Sequence, residues 1–167
     1  MNPVTIREAT SGDISALADL HVRTFRETHG GGPTRELRES QYREKFATIG
    51  GSWFCFVAEN PNGDLIGFAV GEPHDDKDHV YAGELNKIYV LREHHRQGVG
   101  RRLVCSVARR FISQGISSML LFGDARNPSN GFYEKLGAER LLTERGEFHG
   151  GYGWKDLHAL ASRCPAG

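Results

Sequence analysis

The chain has 167 residues with 38% hydrophobic side chains, and its 21 basic residues balance its 21 acidic residues. This length and composition fit one compact domain over residues 1–167, and the charge balance excludes a global field that would gather nucleic acid or anionic lipid. No run reaches the roughly 20 apolar residues of a membrane-spanning helix, and the polar start MNPVTIREATSGD lacks signal-peptide features. We therefore expect a cytoplasmic protein, monomeric or homodimeric, that binds neither nucleic acid nor membrane and holds any anionic ligand in a local site.

The first half of the chain predicts two helices and three strands. The Gly30–Pro33 run must break the first helix, and the turn signal Asn60–Asp64 separates two apolar strands that should form an antiparallel hairpin. In chain order we expect a strand over 4–9, a helix capped by Ser11 or Asp13, a helix from Thr34 to about Thr48, and strands over 53–58 and 65–70.

The second half alternates between strands and helices. Its longest helix is amphipathic, because Leu103, Val107 and Phe111 recur at helical spacing. In chain order we expect a strand from about Val80 to Val90, a helix from Gly98 to about Ser113, a strand over 118–122, a short helix over 128–136 closed by Gly137, and strands over 140–147 and 151–155. This order of elements predicts a mixed α/β fold.

The three cysteines, Cys55, Cys105 and Cys164, lie far apart in the sequence. Their number and spacing match neither a disulfide framework nor a close-spaced zinc site. We therefore expect three reduced thiols, with Cys55 and Cys105 buried.

The segment ELNKIYVLREHHRQGVGRRLV leads from a strand through a basic turn into a helix. Within this segment, no acidic residue follows Glu93. Gly98 and Gly100 let the backbone curl around a ligand, the N–H groups of residues 96–101 point at the helix entrance, and the helix dipole adds about half a positive charge. A pyrophosphate fits this turn, and the alternative is a tight turn with a solvated basic surface. A dinucleotide motif fits poorly because Leu103 stands at its third glycine, and the P-loop sequence G-K-[ST] is absent.

The strand before the turn does not keep one alternation of apolar residues. Its phase shifts between Leu85 and Ile88. A β-bulge would explain the shift and would leave backbone groups for a ligand. The alternative is a twisted strand buried on both faces.

Together, the turn, the phase shift and the downstream run NPSNGFYEKLGAE resemble the GNAT superfamily of acetyl-CoA-dependent N-acetyltransferases. The likeness extends over nearly the whole chain, from TIREATSGDISALADLH to YGWKDL. It implies the α+β type of mixed α/β fold, with a central twisted, mostly antiparallel sheet of six to seven strands, splayed between strands 4 and 5 and flanked by about four helices. It also implies acetyl-CoA as the cosubstrate.

The resemblance further implies which residues bind acetyl-CoA. Backbone amides of the G-x-G turn would bind the pyrophosphate, and the main chain of Ile88 and Val90 would pair with the pantetheine arm. His95 is a departure, because the family often has Arg or Gln at this position. The full expected set is Ile88, Tyr89, Val90, His95, Arg96, Gln97, Gly98, Val99, Gly100, Arg101, Asn127 and Tyr133.

Two members of that set have simpler alternatives. The family places an Asn at the end of the strand after the turn helix and a Tyr in the next helix, positions that Asn127 and Tyr133 fill. Asn127, just before Pro128, would also serve as a helix cap, and Tyr133 would also serve as a core aromatic residue.

An amine acceptor is largely protonated at neutral pH, so its attack on a thioester requires a base or a water chain. We expect Glu84 to be the base or to position water, and the alternative is a salt bridge or an exposed strand carboxylate. A backbone N–H near Ile88 or Tyr89 would stabilise the oxyanion, and Tyr133 would protonate the departing thiolate. No recognisable Cys-His pair appears, so we expect direct transfer rather than a covalent enzyme intermediate.

The acceptor and the function class leave alternatives open. We expect the primary amine of a small molecule, and a peptide amino terminus or a lysine side chain is the alternative. A non-catalytic acyl-CoA sensor and a plain interaction domain are two further classes. The run HDDKDH at 74–79 resembles a metal cluster, but its six residues are adjacent, so we expect a solvated loop and no metal site.

The segments expected around the acceptor are spread along the chain. They are residues 29–33, Glu84 and Asn86, and His149, Tyr152 and Trp154.

Overall fold

The computed structural model describes residues 3–48, 51–75 and 80–165. Within these ranges the chain forms strands and α-helices together with 3-10 turns at Ser11–Asp13 and Arg92–His94. The strands are β1 (Thr5–Glu8), β2 (Phe54–Glu59), β3 (Leu65–Pro73), β4 (Gly83–Val90), β5 (Met119–Leu121), β6 (Glu139–Leu142) and β7 (Phe148–Trp154). The α-helices are α1 (Ile14–His29), α2 (Arg35–Ala47), α3 (Val99–Ser113), α4 (Asn130–Lys135) and α5 (Leu157–Ser162).

The strands form one seven-stranded sheet in the order β1-β2-β3-β4-β5-β7-β6. Strand β1 pairs antiparallel with β2, as do β5 with β7 and β6 with β7, whereas β4 runs parallel to β5. The parallel pairing joins Gly83 to Met119 and Glu84 to Leu120, while β4 itself continues to Val90. The mixed, mostly antiparallel sheet confirms the predicted fold class, and α5 is a fifth helix where the sequence predicted about four.

Local signals explain where the first two helices end and begin. Helix α1 ends at Gly30, which adopts a φ of 82° and donates its N–H to the Arg26 carbonyl. Helix α2 begins after Thr34, whose hydroxyl accepts the N–H of Leu37 at 3.2 Å. Both boundaries confirm the sequence prediction, because a left-handed glycine and a side-chain cap are encoded locally. Among the described residues, no helix has both the length and the apolar character needed to cross a membrane.

The chain divides into two compact units, which we call unit 1 (Met1–Val70 and Lys87–Val104) and unit 2 (Gly71–Asn86 and Cys105–Gly167). In unit 1, α1 packs against α2. The fully buried side chains of unit 1 include Leu17, His21, Val57, Ile66, Phe68, Val70, Val99 and Leu103. The extent of one domain over residues 1–167 stays a prediction.

Several strand boundaries in unit 2 differ from the sequence prediction, and β7 begins at Phe148 rather than at Gly151. Strand β4 begins at Gly83 rather than near Val80, because Gly83 donates its N–H to the Ser118 carbonyl at 3.0 Å and pairing with β5 starts there. The strand predicted over 140–147 ends at Leu142, because residues 143–147 form a turn in which Gly146 has a φ of 77°. The start of β4 thus depends on pairing with a distant segment, whereas the end of β6 is set by a local turn.

The cysteines correct another expectation. Cys105 in α3 and Cys164 after α5 form a disulfide, with their Cα atoms 5.9 Å apart. The prediction of three reduced thiols is therefore wrong for Cys105 and Cys164. It holds for Cys55, which is a buried free cysteine. The end of the chain returns beside α3, where Arg109 donates from Nη2 to the Pro165 carbonyl at 2.6 Å. This return brings together two cysteines that lie 59 residues apart.

Candidate active site

The turn between β4 and α3 has an unusual backbone conformation. Arg96 has a φ of 62°, which is rare outside glycine, and Gly98 follows with a φ of 80°. Helix α3 then begins at Val99, whose side chain is buried. The first N–H groups of a helix have no acceptor within that helix, so this turn directs main-chain donors toward a ligand. Left-handed non-glycine residues cluster at functional sites, which is consistent with this position of Arg96.

The side chains around this turn leave it positively charged and open. Residues 95–98 and Arg101 are exposed. Arg102 instead supports the fold, because its Nη1 donates to the Val4 carbonyl at 2.7 Å. The nearest acidic residue before the turn, Glu93, accepts a hydrogen bond from Arg23 at 3.0 Å. Donors, cations and a helix N-terminus together suit an anion such as a pyrophosphate.

His95 interacts with the end of β4. Its Nε2 lies 2.7 Å from the Val90 carbonyl oxygen and donates to it, since a carbonyl oxygen only accepts. The imidazole thus fixes the start of the turn to the strand, and the role of His95 toward acetyl-CoA stays a prediction.

The end of β4 loses the alternating burial of a half-buried strand. Leu85 is buried, whereas every residue from Asn86 to Val90 is half-buried. On neighbouring β3, a Cβ at Gly67 would lie 3.2 Å from the Tyr89 carbonyl oxygen, so glycine permits the close approach of these strands. The loss of alternation agrees with the phase shift in the sequence, and the bulge itself stays a prediction.

Glu84 has two polar partners within unit 2. Its Oε2 accepts a hydrogen bond from Asn86 Nδ2 at 2.7 Å, and its Oε1 lies 3.3 Å from His74 Nδ1. The side chains of Glu84 and His74 are 19% and 20% exposed, so water still reaches both. The carboxylate is therefore held in one orientation by these two neighbours.

His74 is the residue of this group that the sequence reasoning missed, because the run at 74–79 reads as a solvated loop. Residues 76–79 lie outside the described part of the chain. His74 follows β3 and donates its N–H to the Ala82 carbonyl at 2.9 Å, which places it across the hairpin from the start of β4. The pairing of β3 with β4 is the signal that could have identified His74 as a neighbour of Glu84. Among the described residues, no group of three or more potential ligands forms a metal site.

Tyr133 makes the core contacts that its structural alternative predicts, whereas the N-cap of α4 is Ser129 and Asn127 lies in the turn before it. Asn127 Oδ1 accepts the N–H of Ser129 at 2.9 Å, so its side chain stabilises the turn before α4. The Tyr133 ring is buried, with its centroid 5.5 Å from that of Tyr152 and 6.3 Å from that of Trp154. Neither contact assigns a role toward acetyl-CoA, and both roles stay predictions.

The residues of β7 expected near the acceptor belong to the core of unit 2. Tyr152 and Trp154 are 0% and 3% exposed. Tyr152 donates to Glu134 Oε2 at 2.9 Å, and Trp154 Nε1 donates to the Leu136 carbonyl at 3.1 Å. Burial and satisfied hydrogen bonds make these two residues structural. His149, by contrast, is exposed.

Unit 1 contains a group of closely packed rings, tilted or edge-on to one another, which we call the aromatic cluster. Its members are His21, Phe25, His29, Tyr42, Phe68 and Tyr89. His21 Nδ1 and Tyr42 Oη are 2.7 Å apart. Burial, followed by the nearby charge of Arg38, lowers the pKa of His21 to about 3, and burial also raises the pKa of Tyr42. Both side chains are therefore neutral at neutral pH.

Comparison of the chain with known proteins identifies a matching family. The profile of the Acetyltransferase (GNAT) family matches residues 14–138. The chain is similar to YuaI of Bacillus subtilis (strain 168), named an uncharacterized N-acetyltransferase, with 37% identity covering 94% of this chain and 96% of that protein.

Two solved structures share the fold. The PaiA N-acetyltransferase of Thermoplasma acidophilum, solved in complex with coenzyme A, has a TM-score of 0.66 at 21% identity and covers 90% of this chain and 97% of its own. YncA of Salmonella typhimurium, solved with its cofactor acetyl-CoA, has a TM-score of 0.69 at 19% identity, covering 93% and 95%.

The family match and the relative at 37% identity agree with the geometry of the turn before α3. The chain belongs to the acetyltransferase (GNAT) family and is an N-acetyltransferase with acetyl-CoA as its cosubstrate.

Proposed function

We propose that this N-acetyltransferase moves the acetyl group of acetyl-CoA onto the primary amine of a small molecule, by direct attack in a ternary complex. The observation that carries the proposal is the turn at Arg96 and Gly98, whose left-handed residues lead into the N-terminus of α3. Its N–H donors and the helix dipole provide the charge-assisted contacts that a diphosphate requires.

The main chain at the end of β4 is our candidate for binding the pantetheine arm. Residues 88–90 are half-buried, so a ligand can pair with this strand without unfolding it. The Val90 carbonyl already accepts from His95, which leaves the main chain of Ile88 and the N–H of Val90 as our candidates for the remaining strand contacts. An N–H of Ile88 or Tyr89 is also our candidate for stabilising the oxyanion of the tetrahedral intermediate.

Glu84 is our candidate for receiving the proton of the acceptor amine, directly or through water. An alkyl ammonium has a pKa of about 10.4, so deprotonation must precede attack. The hydrogen bond from Asn86 and the contact with His74 orient the Glu84 carboxylate.

Tyr133 is our candidate for protonating the thiolate of coenzyme A as it leaves. A thiol has a pKa of about 8.5, so it is already a good leaving group and the acid contributes moderately, within the ~10²–10⁴-fold range of general acids. The rings of Tyr152 and Trp154 pack against the Tyr133 ring and would hold it in one orientation.

Direct transfer is supported by the state of the cysteines. A covalent intermediate on cysteine requires a thiolate. Cys105 and Cys164 are bonded to each other, and burial raises the pKa of the Cys55 thiol well above its usual range. None of the three is therefore a good nucleophile.

The acceptor class and the location complete the proposal. With 21 basic and 21 acidic residues, the chain has no excess charge to attract a polymer, which favours a small molecule over a peptide or a lysine side chain. We propose a cytoplasmic location and a monomeric or homodimeric state.

A panel of amines tests this function. We expect the protein to release free thiol from acetyl-CoA with one or more small primary amines, at a kcat/KM at least about ten-fold above that for peptides with a free amino terminus or a lysine. Mass spectrometry of the product should show one added acetyl group. Preferential acetylation of the peptides would contradict the small-molecule acceptor, and thiol release with no acetylated amine in the panel would contradict amine transfer.

A further inference from the structure

Unit 1 contains a buried arginine side chain with an unsatisfied donor. Arg38 in α2 is 9% exposed, and its Nη1 donates to Gln41 Oε1 at 3.2 Å. Its Nε is shielded from solvent and has no hydrogen-bond partner. Within the described residues, no aspartate or glutamate forms an ion pair with this guanidinium. Arg35 and Arg43 of the same helix, by contrast, both pair with Glu39.

A guanidinium in this position keeps its charge. Arginine does not lose its proton in proteins, so it cannot relieve burial as a lysine or histidine does. A buried charge and an unsatisfied N–H are both unfavourable unless a partner compensates them. The Nε of Arg38 therefore marks a place where an anionic partner would be stabilised.

The walls around Arg38 are aromatic and neutral. Its Cζ lies 5.3 Å from the centroid of the Phe25 ring, a cation–π contact that offsets part of the unfavourable burial. His21 carries no charge at neutral pH, because burial first and the charge of Arg38 second lower its pKa to about 3. Aromatic walls exclude water and strengthen any ion pair formed between them.

The same rings connect Arg38 to the strand assigned to the cofactor. Tyr89 belongs to the aromatic cluster, with its ring 6.4 Å from Phe25, and its main chain lies in the segment 88–90. The loop after α1 also approaches Phe25, since a Cβ at Gly32 would overlap with that ring. A group bound at Arg38 would thus lie one ring away from the proposed pantetheine segment.

We propose that Arg38 binds a carboxylate of the acceptor, so that the substrate is a small molecule carrying both an amine and a carboxylate, as an amino acid does. The inference rests on the proposed function, because it assumes that an amine is the acceptor. The edge of the guanidinium formed by Nε and Nη2 matches a carboxylate in bidentate geometry. Because Nε is shielded, the carboxylate reaches it when the loop at 30–33 or a neighbouring ring moves aside.

Matched pairs of acceptors test this subsite. Each pair is an α-amino acid and the amine that remains after its carboxylate is removed, assayed with the unmodified protein, with Arg38→Gln and with Arg43→Gln. We expect the unmodified protein to prefer the amino acid in at least one pair. Arg38→Gln should lower kcat/KM for that amino acid by about 10- to 100-fold, the loss expected for a hydrogen-bonded charge pair, and should change kcat/KM for the decarboxylated amine less than about two-fold.

Arg43→Gln is the matched control. It removes an exposed arginine from the same helix, where Arg43 pairs with Glu39 at 2.6 Å. We expect it to leave the preference between the two acceptors unchanged. Acetyl-CoA affinity and the thermal unfolding temperature, measured for each variant, separate a loss of the subsite from a loss of folding. Arg38→Lys serves if Arg38→Gln does not fold, since it keeps the charge but loses the bidentate geometry.

The outcomes separate the two proposals. Equal acetylation of both members of every pair, or an equal loss for both in the Arg38 variants, would overturn the carboxylate subsite and leave amine acetylation standing. If no amine is acetylated although acetyl-CoA binds, the proposed function fails, and calorimetry with the amino acids then decides the subsite. Binding that Arg38→Gln abolishes would support it, and no binding would overturn it.

Discussion

Gly98→Val is expected to lower the affinity for acetyl-CoA by at least about 100-fold. Gly98 has a φ of 80°, a left-handed conformation that costs an L-residue roughly 1–2 kcal/mol and is least tolerated by β-branched side chains. If residue 98 leaves the left-handed conformation, the backbone N–H groups of the turn no longer converge on the position of the diphosphate. Loss of two charge-assisted hydrogen bonds, at about 1.5–3 kcal/mol each, amounts to a factor of about 100 or more. Calorimetry with acetyl-CoA measures the change.

Gly115→Val is the control for this variant. Gly115 also has a φ of 80°, and at both glycines a Cβ would meet no heavy atom within 4 Å. The two substitutions should therefore destabilise the folded protein by similar amounts, which urea unfolding will show. We expect Gly115→Val to bind acetyl-CoA as the unmodified protein does. Equal binding by both variants would mean that the turn conformation does not matter for the cosubstrate.

Glu84→Gln is expected to lower kcat by about 10²–10⁴-fold, the range for removal of a general base, with little change in the Kd for acetyl-CoA. Glutamine has nearly the shape of glutamate and can still accept the hydrogen bond that Asn86 donates at 2.7 Å. What it loses is the capacity to take up a proton. Initial rates at saturating acetyl-CoA, together with calorimetry, separate the effect on chemistry from any effect on binding.

Glu139→Gln is the matched control for the Glu84 variant. Glu139 is an exposed strand carboxylate of unit 2, 3.8 Å from Lys155 Nζ, and we expect its substitution to leave the rate unchanged. If Glu84→Gln retains the full rate, Glu84 is not the base, and a water chain takes that role. A protein that binds acetyl-CoA but acetylates no amine, with or without Glu84, would instead be a sensor.

Much of the fold could be predicted because its signals are local. The break at Gly30–Pro33, the cap at Thr34 and the amphipathic pattern of α3 each lie within a few residues, and all appear in the structure. The turn before α3 was identified by its glycines and its lack of acidic residues. The positive φ of Arg96, however, could not be read from the sequence, because a non-glycine residue gives no sign of it.

The remaining features depend on contacts between distant parts of the chain. The Cys105–Cys164 bond joins residues 59 positions apart, and it forms because the C-terminal segment returns to α3. His74 meets Glu84 through hairpin pairing, although its sequence context suggests a solvated loop. Arg38 is buried although α2 is rich in charged residues, because the ring of Phe25 accepts the guanidinium. Such contacts are set by tertiary packing rather than by local pattern.

The central claim is that main-chain donors at the start of α3 hold a diphosphate. Calorimetry with coenzyme A, dephospho-coenzyme A and pantetheine tests it, because the first two keep the diphosphate and the third lacks it. We expect the first two to bind with similar affinity, pantetheine to bind at least about 100-fold more weakly, and Gly98→Val to remove most of this difference. Pantetheine binding as tightly as coenzyme A, or no binding of coenzyme A at all, would contradict the claim.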